Sequence, residues 1–177
     1  VEGEIMRIRN IEPEEDAGRL LAMQFQLDME TAYMMLEPGE RDNSQEKLES
    51  HLKAAISNGS IILVAETNEE EIIGYVWAER GTPRRIRHSA YIVTGIREGY
   101  RGKGVGSSLF KELEKQAREK GITRLELTVI KENTPALNLY QKMGYRIEGE
   151  KPESLFTEGR YLDEYYMGKL INKDELN

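Results

Sequence analysis

Within residues 100–109, YRGKGVGSSL, Gly102, Gly104 and Gly106 occupy alternate positions, with basic Arg101 and Lys103 interleaved and a helix-forming run directly after. Residues without Cβ let a backbone curl closely around a ligand. The free N–H groups at a helix start then point at that ligand with the positive end of the dipole behind them. The chemistry is anion binding, and a phosphate or pyrophosphate is the natural guest. A plain glycine turn between strand and helix is the alternative. Two better-known phosphate motifs fail. Five residues after Gly99 stands Gly104 followed by Val105, so the lysine of G-x-x-x-x-G-K-[ST] is missing. Counted from Gly104, the third glycine of G-x-G-x-x-G would be Leu109. What remains is [RQ]-x-x-G-x-G, met by Arg101, Gly104 and Gly106.

Composition narrows the rest of the chemistry. The absence of cysteine excludes disulfides, thiolate metal sites and a cysteine nucleophile, and with His51 and His88 as the two histidines no metal is expected. The 177 residues suffice for one α/β domain spanning 1–177, and 38% hydrophobic with 32% charged residues describes a globular chain. No apolar run approaches the ~20 residues that span a bilayer. The expectation is a cytoplasmic protein without a membrane partner. The net charge of −7 argues against nucleic acid and suits a cationic partner. The chain starts at Val1 rather than Met, so residues 1–4 read as a processing or expression remnant.

The elements that position the loop follow from periodicity. Residues 4–9 read as a short edge strand. Pro13, with Glu14, Glu15 and Asp16 after it, opens a helix with an apolar stripe of Ala17, Leu20, Leu21 and Leu27 that should end before Pro38. Met23, Met29, Met34 and Met35 near Phe25 and Tyr33 suit either core packing or the wall of a substrate pocket. Asn43 and Glu46 resemble a capping box before a second helix that stops at Asn58 and Gly59. Residues 60–66 and 72–80 read as a hairpin, and 86–96 as a third strand with Gly95 as a candidate bulge. After the glycine loop, Val105, Leu109, Leu113 and Ala117 form an i, i+4 ladder. The strand at 124–130 completes a right-handed βαβ unit, which places the loop at the carboxyl end of its first strand. Asn133, Thr134 and Pro135 start a short helix. Strands at 145–149 and 161–170, joined by a loop containing Pro152 and Gly159, close the chain.

YRGKGVGSSL followed by ENTPALNLYQKMGYRIEGE at 132–150 resembles the GNAT superfamily of acetyl-CoA-dependent N-acetyltransferases. Asn133, with Tyr140 seven residues later and then Gly144 and Tyr145, is similar to the family's second cofactor motif. The closing Gly159, Tyr161, Asp163 and Met167 look like the branch of ribosomal-protein, phosphinothricin-type and polyamine acetyltransferases.

The resemblance implies a mixed, mostly antiparallel sheet with flanking helices and a splayed parallel pair at the cofactor site. It implies that the backbone of Gly102, Lys103, Gly104, Val105, Gly106 and Ser107 holds the pyrophosphate of coenzyme A beside Arg101. Main-chain groups of Thr94, Gly95 and Ile96 would pair with the pantetheine arm, Asn133 would bond it from the far strand, and Tyr140 would protonate the departing thiolate. The acceptor implied is a primary amine of a small molecule, polyamine or peptide, and a homodimer is the analogous assembly. Some relatives carry a glutamate base five residues before the asparagine, where this chain has Thr128. Glu126, two residues away on the same face, is the first substitute, with Glu66, His88, Asp163 or a water chain behind it. A coenzyme A-binding sensor without transferase activity is the alternative function.

Overall fold

The computed structural model describes residues 6–171. Residues 1–5 lie outside that range, and with them the proposed remnant and the start of the first expected strand. The elements run β1 (Arg7–Asn10), α1 (Pro13–Glu30), α2 (Gln45–Ser57), β2 (Ile61–Glu66), β3 (Ile72–Arg80) and β4 (Ser89–Ile96), then α3 (Val105–Glu119), β5 (Arg124–Ile130), α4 (Thr134–Lys142), β6 (Arg146–Thr157) and β7 (Arg160–Leu170). The described strands form one sheet in the order β1-β2-β3-β4-β5-β7-β6, and β4–β5 is its parallel pair.

Helices cover both faces of the sheet centre. Every residue of β2 is therefore buried, and the strand reads as a continuous apolar run. On one face Val105, Leu109, Leu113 and Ala117 of α3 are at most 1% exposed and pack on Leu63, Val76, Ile92 and Leu125. Each buried leucine there contributes about 1.5–3 kcal/mol relative to exposure. On the other face Leu20, Met23 and Leu27 of α1 and Leu52 of α2 pack on Ile62, Val64 and Tyr75.

α1 ends at Glu30, before Pro38 as expected, where β-branched Thr31 turns to extended backbone while its N–H still reaches the Leu27 carbonyl. Three local expectations need correction. The cap of α2 is Ser44, whose hydroxyl accepts the Lys47 N–H, and not Asn43. Gly95 is not a bulge: β3 and β4 pair without interruption through Tyr75 and Gly95. Its lack of a side chain serves packing instead, since a Cβ there would come within 2.5 Å of Leu27 Cδ1. Finally, β6 runs through Pro152 into a tight hairpin whose turn residues Glu158 and Gly159 both have positive φ. The proline is tolerated because β6 is an edge strand whose register slips between Lys151 and Leu155.

Candidate functional site

The parallel pair opens as it leaves its base. β4 and β5 are in register only from Ser89 with Arg124 to Tyr91 with Glu126. Beyond that point the backbone of residues 92–96 on the edge toward β5 is without a strand partner among the described residues. β4 is held there from its other side, where Thr94 Oγ1 donates to the Tyr75 carbonyl at 2.7 Å. At the base of the opening, Tyr91 and Thr128 bridge the two strands through their hydroxyls at 2.8 Å.

The glycine loop sits at the carboxyl end of β4, as the βαβ reading requires. Gly102 and Gly104 have φ of +72° and +83°, which L side chains rarely adopt, and Gly104 is the N-cap of α3. No side-chain oxygen caps the helix, so the N–H groups of its first turn keep their donor capacity for an anion. Gly106 serves a different need: a Cβ on it would meet Leu139 Cδ2 at 2.6 Å, so its absence lets α3 pack against α4. Arg101 Nε donates to the Ile96 carbonyl at 3.1 Å, and Lys103 lies 5.5 Å from the Tyr100 ring centre. The strand before the loop is anchored by Glu30, which takes Arg97 Nε at 2.7 Å and the Glu98 N–H at 2.9 Å. Burial pushes the Glu30 carboxyl up, but these two donors outweigh it and hold the group below its ordinary value.

Asn133 and Tyr140 belong to α4. Asn133 Oδ1 accepts the Ala136 N–H at 3.4 Å as the helix cap, and its amide NH₂ has no protein acceptor among the described residues. The Tyr140 ring is 7% exposed and lies 5.6 Å from Phe110 and 6.2 Å from Tyr145, measured between centroids. Burial drives its phenol well above the ordinary value, with Tyr75 and Tyr91 adding to the shift. The hydroxyl therefore keeps its proton at neutral pH.

One cavity of 1330 Å³ joins these parts. It is lined by Thr94, Gly95, Ile96, Arg101, Gly102, Gly104, Val105, Gly106 and Ser107, and across the opening by Asn133 and Tyr140. Lys103 is not part of the lining. Neither is Glu126, whose carboxylate accepts Arg124 Nε at 2.9 Å; the expected base is thus bound in an ion pair outside the cavity. Glu66 is held by Arg9 at 2.8 Å, and Asp163 accepts the Glu153 N–H at 2.8 Å. Glu66, His88 and Asp163 all lie outside the lining.

The opposite end of the cavity is walled partly by the methionine-rich segment read from sequence as either core or pocket wall, and partly by residues that motif spacing did not bring forward. The connection between α1 and α2 contributes Tyr33, Met34 and Met35, so two of the methionines serve the pocket while Met23 serves the core. Arg41 fastens this connection through Nε and Nη2 to Asp28, at 2.6 and 2.8 Å. β3 contributes Trp77, whose indole N–H donates to Glu79 at 2.5 Å and whose ring lies 4.8 Å from His51. The β6–β7 hairpin contributes Leu155, Glu158, Arg160 and Glu164. Glu164 had a sequence signal: counting by twos from the buried Leu162 places an acid at an inward position of β7.

The site is thus a sheet that splays beside a helix capped by a glycine and by no side chain. The model of the acetyltransferase (GNAT) family matches residues 23–145, and the chain belongs to that family. An acetyltransferase of the GNAT family from Streptococcus pneumoniae is 34% identical with a TM-score of 0.89, covering 95% of this chain and 100% of that one. The structure of yncA from Salmonella typhimurium, described with its cofactor acetyl-CoA, shares the fold at 20% identity and a TM-score of 0.84, with 95% of each chain covered. The L-amino acid N-acetyltransferase AaaT of Escherichia coli K12 is 29% identical over 101 residues. That match spans 56% of this chain and 62% of the relative's length. Among the described residues no helix is long and apolar enough to cross a membrane.

Proposed function

We propose that this chain transfers an acetyl group from acetyl-CoA directly to a primary amine, a reaction suited to the cytoplasm where that donor is made. The observation that carries the reading is the continuity of the cavity. A cradle for a pyrophosphate, an unpaired strand edge, a buried phenol and a separate aromatic end lie along one 1330 Å³ space.

Acetyl-CoA supplies an activated carbonyl and a thiolate leaving group. Toward it, the first N–H groups of α3 with Gly102 and Gly104 hold the pyrophosphate, and Arg101 and Lys103 add positive charge. The free edge of β4 at 92–96 offers N–H and C=O groups to the amides of the arm, and the Asn133 NH₂ bonds it from α4. Tyr140 donates its proton as charge develops on sulfur. The phenol is matched to the task because ordinary thiols and phenols have pKa values of about 8.5 and 10, and the dry site favours both neutral forms. Positioning of amine and thioester supplies the rest, without a covalent intermediate on the protein.

The acceptor end favours an amine over an amino acid held by its carboxylate. Arg41 and Arg160, the arginines lining that end, are each bound by two contacts to a carboxylate, Asp28 and Glu132. Tyr33, Met34 and Trp77 offer apolar and π surface to an alkylamine chain. The test is release of free thiol from acetyl-CoA in the presence of amino acids, diamines, polyamines and peptides. Amine-dependent release, strongest with amines lacking a carboxylate, is the expected result. Tight coenzyme A binding with no release from any amine would establish a cofactor sensor instead.

A further inference from the structure

We propose that Glu164 receives the ammonium group of the acceptor and takes its proton, the general-base role left open by Thr128. This rests on the acetyltransferase reading. Glu164 stands on β7 directly opposite Ile130, the last residue of β5, and Tyr166 is opposite Thr128 in the same register. Partners in an antiparallel pair project to the same face. Glu164 is therefore on the Thr128 face of the splayed strand, two residue pairs farther along toward Asn133. It lines the cavity and is 7% exposed.

A carboxylate that deep is ordinarily paired with a cation. Its hydrogen-bond partner among the described residues is the Ser154 hydroxyl, which donates to Oε1. The charged groups of the surrounding elements are engaged elsewhere. Lys131 at the end of β5 pairs with Glu150 at 2.8 Å and lies 5.0 Å from the Tyr165 ring centre. Arg160 of β7 is bound to Glu132, and Asp163 to the Glu153 N–H. Lys151, the register partner on β6, is exposed and forms no ion pair with Glu164 among the described residues. Glu158 and Tyr33 are the other titratable groups on this wall. Glu79, the acid across the cavity on β3, is exposed and bound to the Trp77 indole. Among the described residues Glu164 is thus a buried carboxylate facing the cavity without a cation, and an ammonium is its complement.

The proton balance is simple. R–NH₃⁺ gives one proton to the Glu164 carboxylate, and the freed lone pair forms the new N–C bond at the thioester carbonyl. As the C–S bond breaks, sulfur takes the Tyr140 proton. The second proton on nitrogen replaces the one Tyr140 gave up. Glu164 then passes its proton to solvent through the open acceptor end. The sum is amide, free thiol and one proton.

The experiment starts from wild-type protein and the amine that gives the fastest thiol release. Glu164→Gln keeps the size of the side chain and an oxygen for Ser154 but removes the base. Expected is a fall in kcat/KM of about 100-fold or more at pH 7, with coenzyme A affinity unchanged by calorimetry. The remaining activity should climb about tenfold per pH unit toward the pKa of the free amine. Glu164→Asp, which retains a base, should lose about tenfold or less. A Glu164→Gln protein that keeps a third of wild-type kcat/KM with an unaltered pH profile overturns the assignment. So does a Glu164→Asp protein no better than the Gln variant. Wild-type protein that releases no thiol with any amine overturns the acetyltransferase reading itself, and the assignment with it.

Discussion

The two ends of the cavity are made of different materials. At the glycine-loop end the groups facing the cavity are backbone: first-turn N–H groups of α3, residues 92–96 of β4, and glycines whose φ of +72° and +83° L side chains rarely adopt. At the opposite end, the proposed acceptor end, they are side chains from four separated segments: the connection after α1, β3, β5 and the β6–β7 hairpin. Backbone donors cannot be exchanged by substitution, so the first end suits a ligand that never changes. Side chains can be exchanged singly, so the second suits an acceptor that differs between relatives.

The sharpest way to break this contrast is Gly104→Val. A Cβ there meets no atom within 4 Å, so the fold has room for it. The positive φ does not: a β-branched residue in the left-handed region costs about 1–2 kcal/mol and will pull the loop toward another conformation. Coenzyme A affinity should fall about 100-fold or more in calorimetry, while the cost to thermal stability stays within that 1–2 kcal/mol. Unchanged affinity would mean that the loop does not carry the anion. Next in size is Tyr140→Phe, which leaves the packing on Phe110 and Tyr145 in place. Turnover should drop about 100-fold or more with coenzyme A affinity held. Because burial keeps the wild-type phenol protonated far above neutrality, no alkaline loss of rate near pH 10 should arise from this group. A decline there that disappears in the Phe variant would contradict the upward shift of the phenol rather than its acid role.

The contrast also explains what could be read without coordinates. The loop, α3, β5, Asn133 and Tyr140 fall within one continuous stretch. There, local spacing and the 3.6- and 2-residue periods determine who meets whom, and the cavity joins nearly all of the residues expected of it. Glu126 misled because alternation fixes only the face of a strand. Its position along β5 coincides with Tyr91, at the closed base of the splay and next to Arg124, rather than in the opening. Trp77 and Glu79 were hidden for the opposite reason, since only the order β3-β4-β5-β7 brings them and Glu164 around one space. Pro152 read as a loop because the pattern cannot say which strand will lie at an edge.

Gly95 marks the seam between the two ends, and its substitution gives the smallest and most diagnostic effect. Its backbone belongs to the free stretch of β4 that faces β5, and its missing side chain makes room for Leu27 of α1. Gly95→Ala would put a methyl 2.5 Å from Leu27 Cδ1 and 3.2 Å from Tyr75 Cε1, with ordinary strand backbone. The leucine end can shift and the tyrosine cannot easily, so overpacking should lower stability by about 1–3 kcal/mol in denaturant melts. Leu27→Ala alone leaves a cavity and should cost about 2–5 kcal/mol. In the double variant the new methyl fills part of that space, so the combined loss should be smaller than the sum of the single losses. Strict additivity would show that Gly95 is kept for the ligand-facing backbone rather than for the packing of α1.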